Sequence, residues 1–175
     1  IFNKKYWTIN RLKEIFFNIN LYKDYKKFFS AEVLHFQSAI GIESNLIDLN
    51  TVFNRVNSNK IFLKIDIEGS EYRILEDLIK YQNNISGLVI EFHNIDLHMD
   101  KILNFINNLD FLKIVHIHGQ NPGGEDYLDI NGDPTQIELT FSSYSEYISI
   151  DPCIPSHLDQ PSDPRYKDID LKFSI

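Results

Sequence analysis

The sequence is poor in the features that mark secreted, membrane-bound and nucleic-acid-binding proteins. Its single cysteine, Cys153, excludes an internal disulfide and favours a reducing compartment, so we predict a cytoplasmic protein. The formal net charge of -8 argues against nucleic acid or anionic lipid as a partner. No apolar run approaches the roughly 20 residues that a membrane-spanning helix needs. The first residues, IFNKKYW, do not have the order of a signal peptide.

The composition is that of a globular domain. Of the 175 residues, 43% are hydrophobic and 13% aromatic, which suits one core and one domain. Within that single domain, 1–175, we predict a helical N-terminal segment at 1–30, an α/β core at 31–150 and an extended tail at 151–175. Because the first residue is Ile rather than Met, we expect this sequence to be a piece of a longer polypeptide.

Helical and strand patterns alternate along the core. Helical spacing of apolar residues predicts helices at 7–29, 46–56, 71–81 and 100–109, with Asn45 and Ser70 capping the second and third. Strands are predicted at 33–42, 61–67, 87–93, 112–118 and 137–141. This order predicts an α/β fold with a mostly parallel sheet and helices on both faces. Since no helix separates the last two strands, the C-terminal strand should be antiparallel.

Three of the predicted strands end in pairs of ionisable residues. The pairs are Asp66-Ile-Glu68, Glu91-Phe-His93 and His116-Ile-His118. A two-residue step places both members of a pair on the same side of their strand. Ligands of open α/β sheets bind beyond the carboxyl ends of the strands. If the three strands are neighbours, we therefore expect all six groups to converge on one site.

Two kinds of chemistry suit such a site. Carboxylates bind Mg²⁺ or Mn²⁺ and imidazoles favour Zn²⁺ or Fe²⁺, so Asp66, His93 and His118 are candidate ligands of a divalent metal ion. A His–carboxylate pair could instead act as a general base towards a substrate hydroxyl. A third carboxylate after the first strand, Glu71, is assigned to the start of the next helix, where the helix dipole favours negative charge.

Four segments resemble one known family. They are FLKIDIEGSEYRILEDL, GLVIEFH, IVHIHGQNPGG and PTQIELTF. These segments resemble the FkbM-type methyltransferases, and more narrowly a bacterial group of methyltransferase-like domains from glycan-modification loci. The resemblance extends from Phe36 to Phe173 and is most specific in the Asp-Ile-Glu-Gly-x-Glu block. Gln120 departs from it, because that group usually has Asn there.

The resemblance implies a Rossmann-like, class I methyltransferase fold. The implied reaction moves a methyl group from S-adenosylmethionine to a hydroxyl of a sugar, nucleotide-sugar or glycan. By the same resemblance the catalytic residues are Asp66, His93 and His118. The donor would lie near Asp66 and Glu68, and the acceptor near Glu91, His116 and Asn121.

The donor-binding half of such a fold has no counterpart in the sequence. The resemblance implies a glycine-rich turn after the first strand, yet no G-x-G occurs and the first glycine is Gly41. We therefore expect the donor-binding N-terminal strands to be missing from this sequence, either upstream of it or in omitted intervening segments, unless this copy cannot bind the donor. Two alternatives stay open: a metal-dependent, hydrolase-like enzyme, and a non-catalytic docking domain. Aromatic residues that could form a partner or homo-oligomer contact are Tyr6, Trp7, Phe16, Phe17, Tyr22, Phe28 and Phe29.

Overall fold

The computed structural model describes residues 9–29, 33, 35–43, 45–144, 154–157 and 159–171. It comprises two compact units, Ile1–Ser38 and Ala39–Ile175. The first contains helix α1 (Ile9–Phe28), which confirms a helix within 7–29. After α1, the ring of Phe29 stacks on that of His35 with their centroids 4.4 Å apart. Tyr6 and Trp7, which we predicted as partner contacts, lie outside the described residues.

The second unit alternates helices and strands. The helices are α2 (Leu49–Val56), α3 (Leu75–Tyr81) and α4 (Ile95–Asn107), and the strands are β1 (Ile61–Ile65), β2 (Ile85–His93), β3 (Lys113–Gly119) and β4 (Gln136–Ser142). Short 3-10 helices occur at Glu71–Arg73, Gln82–Asn84 and Gly124–Tyr127. The fold is therefore mixed α/β, as predicted. No helix of the described residues is long and apolar enough to span a membrane.

The four strands form one sheet in the order β1-β2-β4-β3. β1 and β2 are parallel, whereas β4 is antiparallel to both β2 and β3. The antiparallel C-terminal strand is confirmed, but it lies between β2 and β3, so two of the three strand pairings are antiparallel and the pairing is not mostly parallel as predicted. Of the three polar strand ends, only those of β1 and β2 belong to neighbouring strands. β1, β2 and β3 still run in the same direction, and their carboxyl ends share one edge of the sheet.

The hydrophobic core lies on one face of this sheet. Its fully buried members include Leu78, Leu88, Ile90, Phe92, Phe105 and Phe141. Helices α2, α3 and α4 all contribute side chains to this one core, so the prediction of helices on both faces is wrong for the described residues of the second unit. The opposite face of the sheet carries polar side chains such as Lys64, Glu91 and Glu138. The apolar face of a helix could not cover these groups, because they would be buried without partners.

β1 is buried on one face only, although an apolar run such as 61–67 is typical of a strand that is covered on both faces. Ile61 and Ile65 are buried, but Phe62 is 66% exposed and Lys64 is also exposed. Within the described sheet β1 pairs only with β2, which makes it an edge strand. A short apolar run therefore identified the strand correctly but not its position in the sheet.

Three local predictions are wrong. The described part of 33–42 contains no strand, only an isolated bridge between Ile40 and Ile47. Helix α2 is capped by Asp48 rather than Asn45, because the Asp48 carboxylate accepts a hydrogen bond from the Thr51 N–H at 2.8 Å. Ser70 makes no capping hydrogen bond with its side chain.

The described part of the C-terminal tail contains neither helix nor strand. Its residues Ile169 and Leu171 lie close to Gly119 at the end of β3, where a β-carbon would come within 3.3 Å and 3.1 Å of their side chains. The extended tail that we predicted therefore packs against the sheet.

Candidate functional site

The chain makes a sharp turn directly after β1. Glu68 and Gly69 both have positive φ, 54° and 90° respectively. Glycine adopts this conformation freely, whereas Glu68 occupies it at some cost in strain. The turn brings Asp66 and Glu68 to the carboxyl edge of the sheet and leaves Ile67 packed against the core.

Glu71 holds this turn from inside. Its side chain is completely buried, and its Oε1 atom accepts hydrogen bonds from the N–H groups of Ile67 at 3.1 Å and Gly69 at 3.2 Å. The same oxygen lies 3.1 Å from Nδ1 of His93. We predicted only that Glu71 would begin a helix. It does begin a 3-10 helix, but its carboxylate also connects two strand ends. The available sequence signal was a carboxylate two residues beyond a glycine turn.

His93 is the last residue of β2 and is only 6% exposed. Glu71 contacts its Nδ1, and the Tyr72 hydroxyl donates a 2.6 Å hydrogen bond to its backbone carbonyl. With the ring held in this way, Nε2 faces the turn after β1. The nearest carboxylate oxygens are 3.9 Å away on Asp66, 3.5 Å on Glu68 and 3.8 Å on Glu91. All three distances exceed the usual hydrogen-bond range of about 2.7–3.2 Å.

Asp66, Glu91 and His93 form the cluster at this edge. Each offers one ligand atom, and the three atoms lie within 4.8 Å of one another. The parallel pairing of β1 and β2 produces this proximity, since it aligns their carboxyl ends. Of the predicted site residues, the structure thus brings these three together, with Glu68 beside them.

Electrostatic effects at the cluster follow from burial and crowding of negative charge. Burial, followed by the charge of Asp66, raises the pKa of Glu91. Lys64 lies nearby, but its Nζ is bound to Oε2 of Glu138 at 2.5 Å. Burial opposes the charge on Lys64, yet the bond to Glu138 and the nearby carboxylates outweigh it and raise the pKa of Lys64. Burial, together with the charge of Glu71, also raises the pKa of Tyr72.

An open cavity of about 280 Å³ adjoins the cluster. Two strand ends and the 3-10 helix Gly124–Tyr127 form its walls. The residues that line it are Glu68, His93, Asn94, Asp126, Tyr127, Thr135 and Gln136. A small polar molecule bound there would lie against His93.

The other predicted site residues bind the C-terminal tail. His116 and His118 each contact a tail carboxylate through Nε2, Asp159 and Asp168 respectively, both at 2.8 Å. The third predicted residue is Asn121. Its side chain donates to the Lys167 carbonyl at 3.0 Å and accepts from the Gly124 N–H at 2.7 Å. These residues do not join the cluster because β4 lies between β2 and β3.

A mixed α/β sheet with a polar cleft at its carboxyl edge is the usual arrangement of an α/β enzyme. The family model of the methyltransferase FkbM domain matches residues 16–113, which is more than half of the chain. The chain therefore belongs to the FkbM methyltransferase family. Asp66, Glu91 and His93 lie inside the matched span, whereas His116, His118 and Asn121 lie beyond it. Neither the characterised proteins nor the solved structures gave a match.

Membership of this family implies S-adenosylmethionine as the methyl donor. The described residues do not fit the donor site that the resemblance implied. No strand of the described chain precedes β1, and the glycine turn that follows β1 encloses the carboxylate of Glu71. What the described residues present is a polar cluster and a cavity at the carboxyl edge of the sheet.

Proposed function

We propose that this chain provides the acceptor side of an S-adenosylmethionine-dependent O-methyltransferase. The acceptor would be a hydroxyl of a sugar, nucleotide-sugar or glycan. One observation carries the proposal. In a chain of the FkbM methyltransferase family, a buried imidazole directs Nε2 towards three carboxylates at the edge of a polar cavity.

The chemistry required of this site is the activation of a hydroxyl. The donor supplies the methyl group, and the hydroxyl must give up its proton as its oxygen is methylated. In this proposal, Asp66, Glu91 and His93 bind and orient the hydroxyl. Glu68 lines the cavity and is exposed, so its carboxylate can accept the proton and release it to water.

The cavity lining favours a sugar as the acceptor. Its amide, carboxylate and hydroxyl groups can form hydrogen bonds with several hydroxyls at once. Tyr127 adds an aromatic ring, which offers an apolar surface beside these polar groups. The negative charge of Glu68 and Asp126 favours a neutral reacting sugar over one that carries a carboxylate or phosphate at the reacting end.

The test uses the full-length protein. We expect calorimetry to show binding of S-adenosylmethionine, and mass spectrometry to show a methylated product from a panel of sugars, nucleotide-sugars and glycans. Asp66→Asn should reduce the rate by about 100-fold, as expected for loss of a group that acts on the hydroxyl. Glu76→Gln, an equivalent change on the exposed face of α3, should leave the rate unchanged. Failure to bind S-adenosylmethionine would refute the proposal.

A further inference from the structure

We propose that Asp66, Glu91 and His93 bind a divalent cation of the Mn²⁺ type. At the site of the proposed function, this cation would coordinate the acceptor's hydroxyl oxygens. The role towards the acceptor rests on the proposed function. Binding of the cation does not, and it can be measured alone.

The first argument is the spacing of the polar atoms. Nε2 of His93 lies 3.9 Å from Asp66 Oδ1 and 3.8 Å from Glu91 Oε1. These atoms are too far apart for a good hydrogen bond. Oxygen and nitrogen ligands lie about 2.0–2.2 Å from a small divalent cation, so neighbouring ligands are about 3.0–3.6 Å apart. The three ligand atoms lie within 4.8 Å of one another, so a cation among them would require the cluster to contract.

The second argument is the way His93 is held. Metal-binding histidines commonly use their other ring nitrogen to contact a carboxylate, which fixes the ring and the tautomer. Nδ1 of His93 contacts Glu71, a completely buried carboxylate. If Nδ1 donates its proton to Glu71, the lone pair of the ring is on Nε2, which faces three carboxylates. His93 itself is only 6% exposed.

The third argument is the unbalanced charge. Asp66, Glu68 and Glu91 all face Nε2 of His93. Lys64, whose charge acts on Glu91, is itself bound to Glu138. A divalent cation among these carboxylates would relieve their mutual repulsion. Glu71 would keep its contact with Nδ1 of His93, on the side of the ring away from the cation.

The ligand set selects the kind of cation. Two carboxylates and one imidazole form an oxygen-rich set that suits Mn²⁺, whereas structural Zn²⁺ sites use more sulfur and imidazole ligands. Asp66 is 43% exposed in its side chain, so the site is open on one side. Coordination positions that the protein does not fill would be taken by water or by two neighbouring sugar hydroxyls. A bound cation makes the protons of such hydroxyls more acidic.

The experiment titrates the full chain with MnCl₂. We expect saturable binding of one Mn²⁺ by calorimetry, and pulsed electron paramagnetic resonance should show coupling of the bound Mn²⁺ to an imidazole nitrogen. Asp66→Asn and Glu91→Gln should each weaken binding at least tenfold, while Glu76→Gln should not. His93→Gln should abolish the nitrogen coupling.

Several outcomes would overturn the inference. These are no saturable Mn²⁺ binding, binding unaffected by Asp66→Asn and Glu91→Gln, or binding of Zn²⁺ but not Mn²⁺. The nitrogen coupling is measured on the unaltered chain, so the test survives if a variant fails to fold. Failure to bind S-adenosylmethionine would refute the proposed function without affecting the Mn²⁺ result. Failure to bind Mn²⁺ would refute the cation site without affecting the proposed function.

Discussion

The carboxylate of Glu71 connects the turn after β1 to the end of β2. Oε1 contacts two backbone N–H groups and the ring of His93, whereas Oε2 is buried with no hydrogen-bond partner among the described residues. A single oxygen therefore supports both the backbone of the turn and the orientation of the imidazole. Any change at this residue should affect the stability of the turn and the position of His93 together.

Replacing Glu71 tests this role. Glu71→Ala leaves two N–H groups and Nδ1 without their acceptor in a buried space, and we expect the free energy of unfolding to fall by about 3 kcal/mol. Glu71→Gln keeps an oxygen that can accept from the turn, so its loss should be about half as large. Urea denaturation measures both values. A loss below about 1 kcal/mol for Glu71→Ala would show that Glu71 does not support the turn.

At the scale of single elements, the N-cap of α2 is Asp48 in the structure, whereas the sequence pattern predicted Asn45. Asp48 accepts from the Thr51 N–H, and the helix then buries Leu49 and Phe53 in the core. We expect Asp48→Ala to lower the melting temperature by a few degrees, because a first-turn N–H loses its acceptor. Asn45→Ala, at the position that the sequence favoured, should have little effect. The structural assignment is wrong if the two variants exchange these results in thermal denaturation.

The sequence predicted elements better than their ends and surroundings. β1 and β2 were predicted to within two residues, because an apolar run is a local property of the chain. The cap of α2 was misplaced by three residues, since several polar residues before a helix are equally plausible caps. The role of Glu71 depends on His93, which is 22 residues away, and no local pattern reveals that contact.

At the scale of the whole molecule, the position of β4 determines which predicted residues meet. Asp66, Glu91 and His93 are adjacent because β1 pairs directly with β2. His116 and His118 are on β3, beyond β4, and they contact the tail instead. Strand order depends on pairing between distant segments, which the sequence pattern does not specify. The sequence could therefore identify the edge of the sheet that bears the candidate site, but not which residues form the cluster there.

The contact of the tail with β3 leads to a prediction about pH. Burial disfavours the charged form of Asp159, but hydrogen bonds from the Ser156 N–H and His116, with the nearby charge of His118, outweigh it. Together they lower the pKa of Asp159 below its ordinary value of 3.8. A lowered pKa in the folded chain means that the ionised carboxylate stabilises it. This contribution is fully present above about pH 4 and is lost as the pH falls through the lowered pKa.

Asp159→Asn should therefore destabilise the chain in a pH-dependent way. Near neutral pH we expect a loss of about 1–2 kcal/mol, because the amide replaces a carboxylate that is hydrogen-bonded to imidazole and to a backbone N–H. The difference from the unaltered chain should shrink below about pH 4, since protonation then removes the same charge from Asp159 itself. Urea denaturation at a series of pH values measures this difference. Asp170→Asn, an exposed change in the same tail, should show no such difference. If the loss for Asp159→Asn stays constant down to about pH 2.5, the ionised carboxylate does not hold the tail on β3.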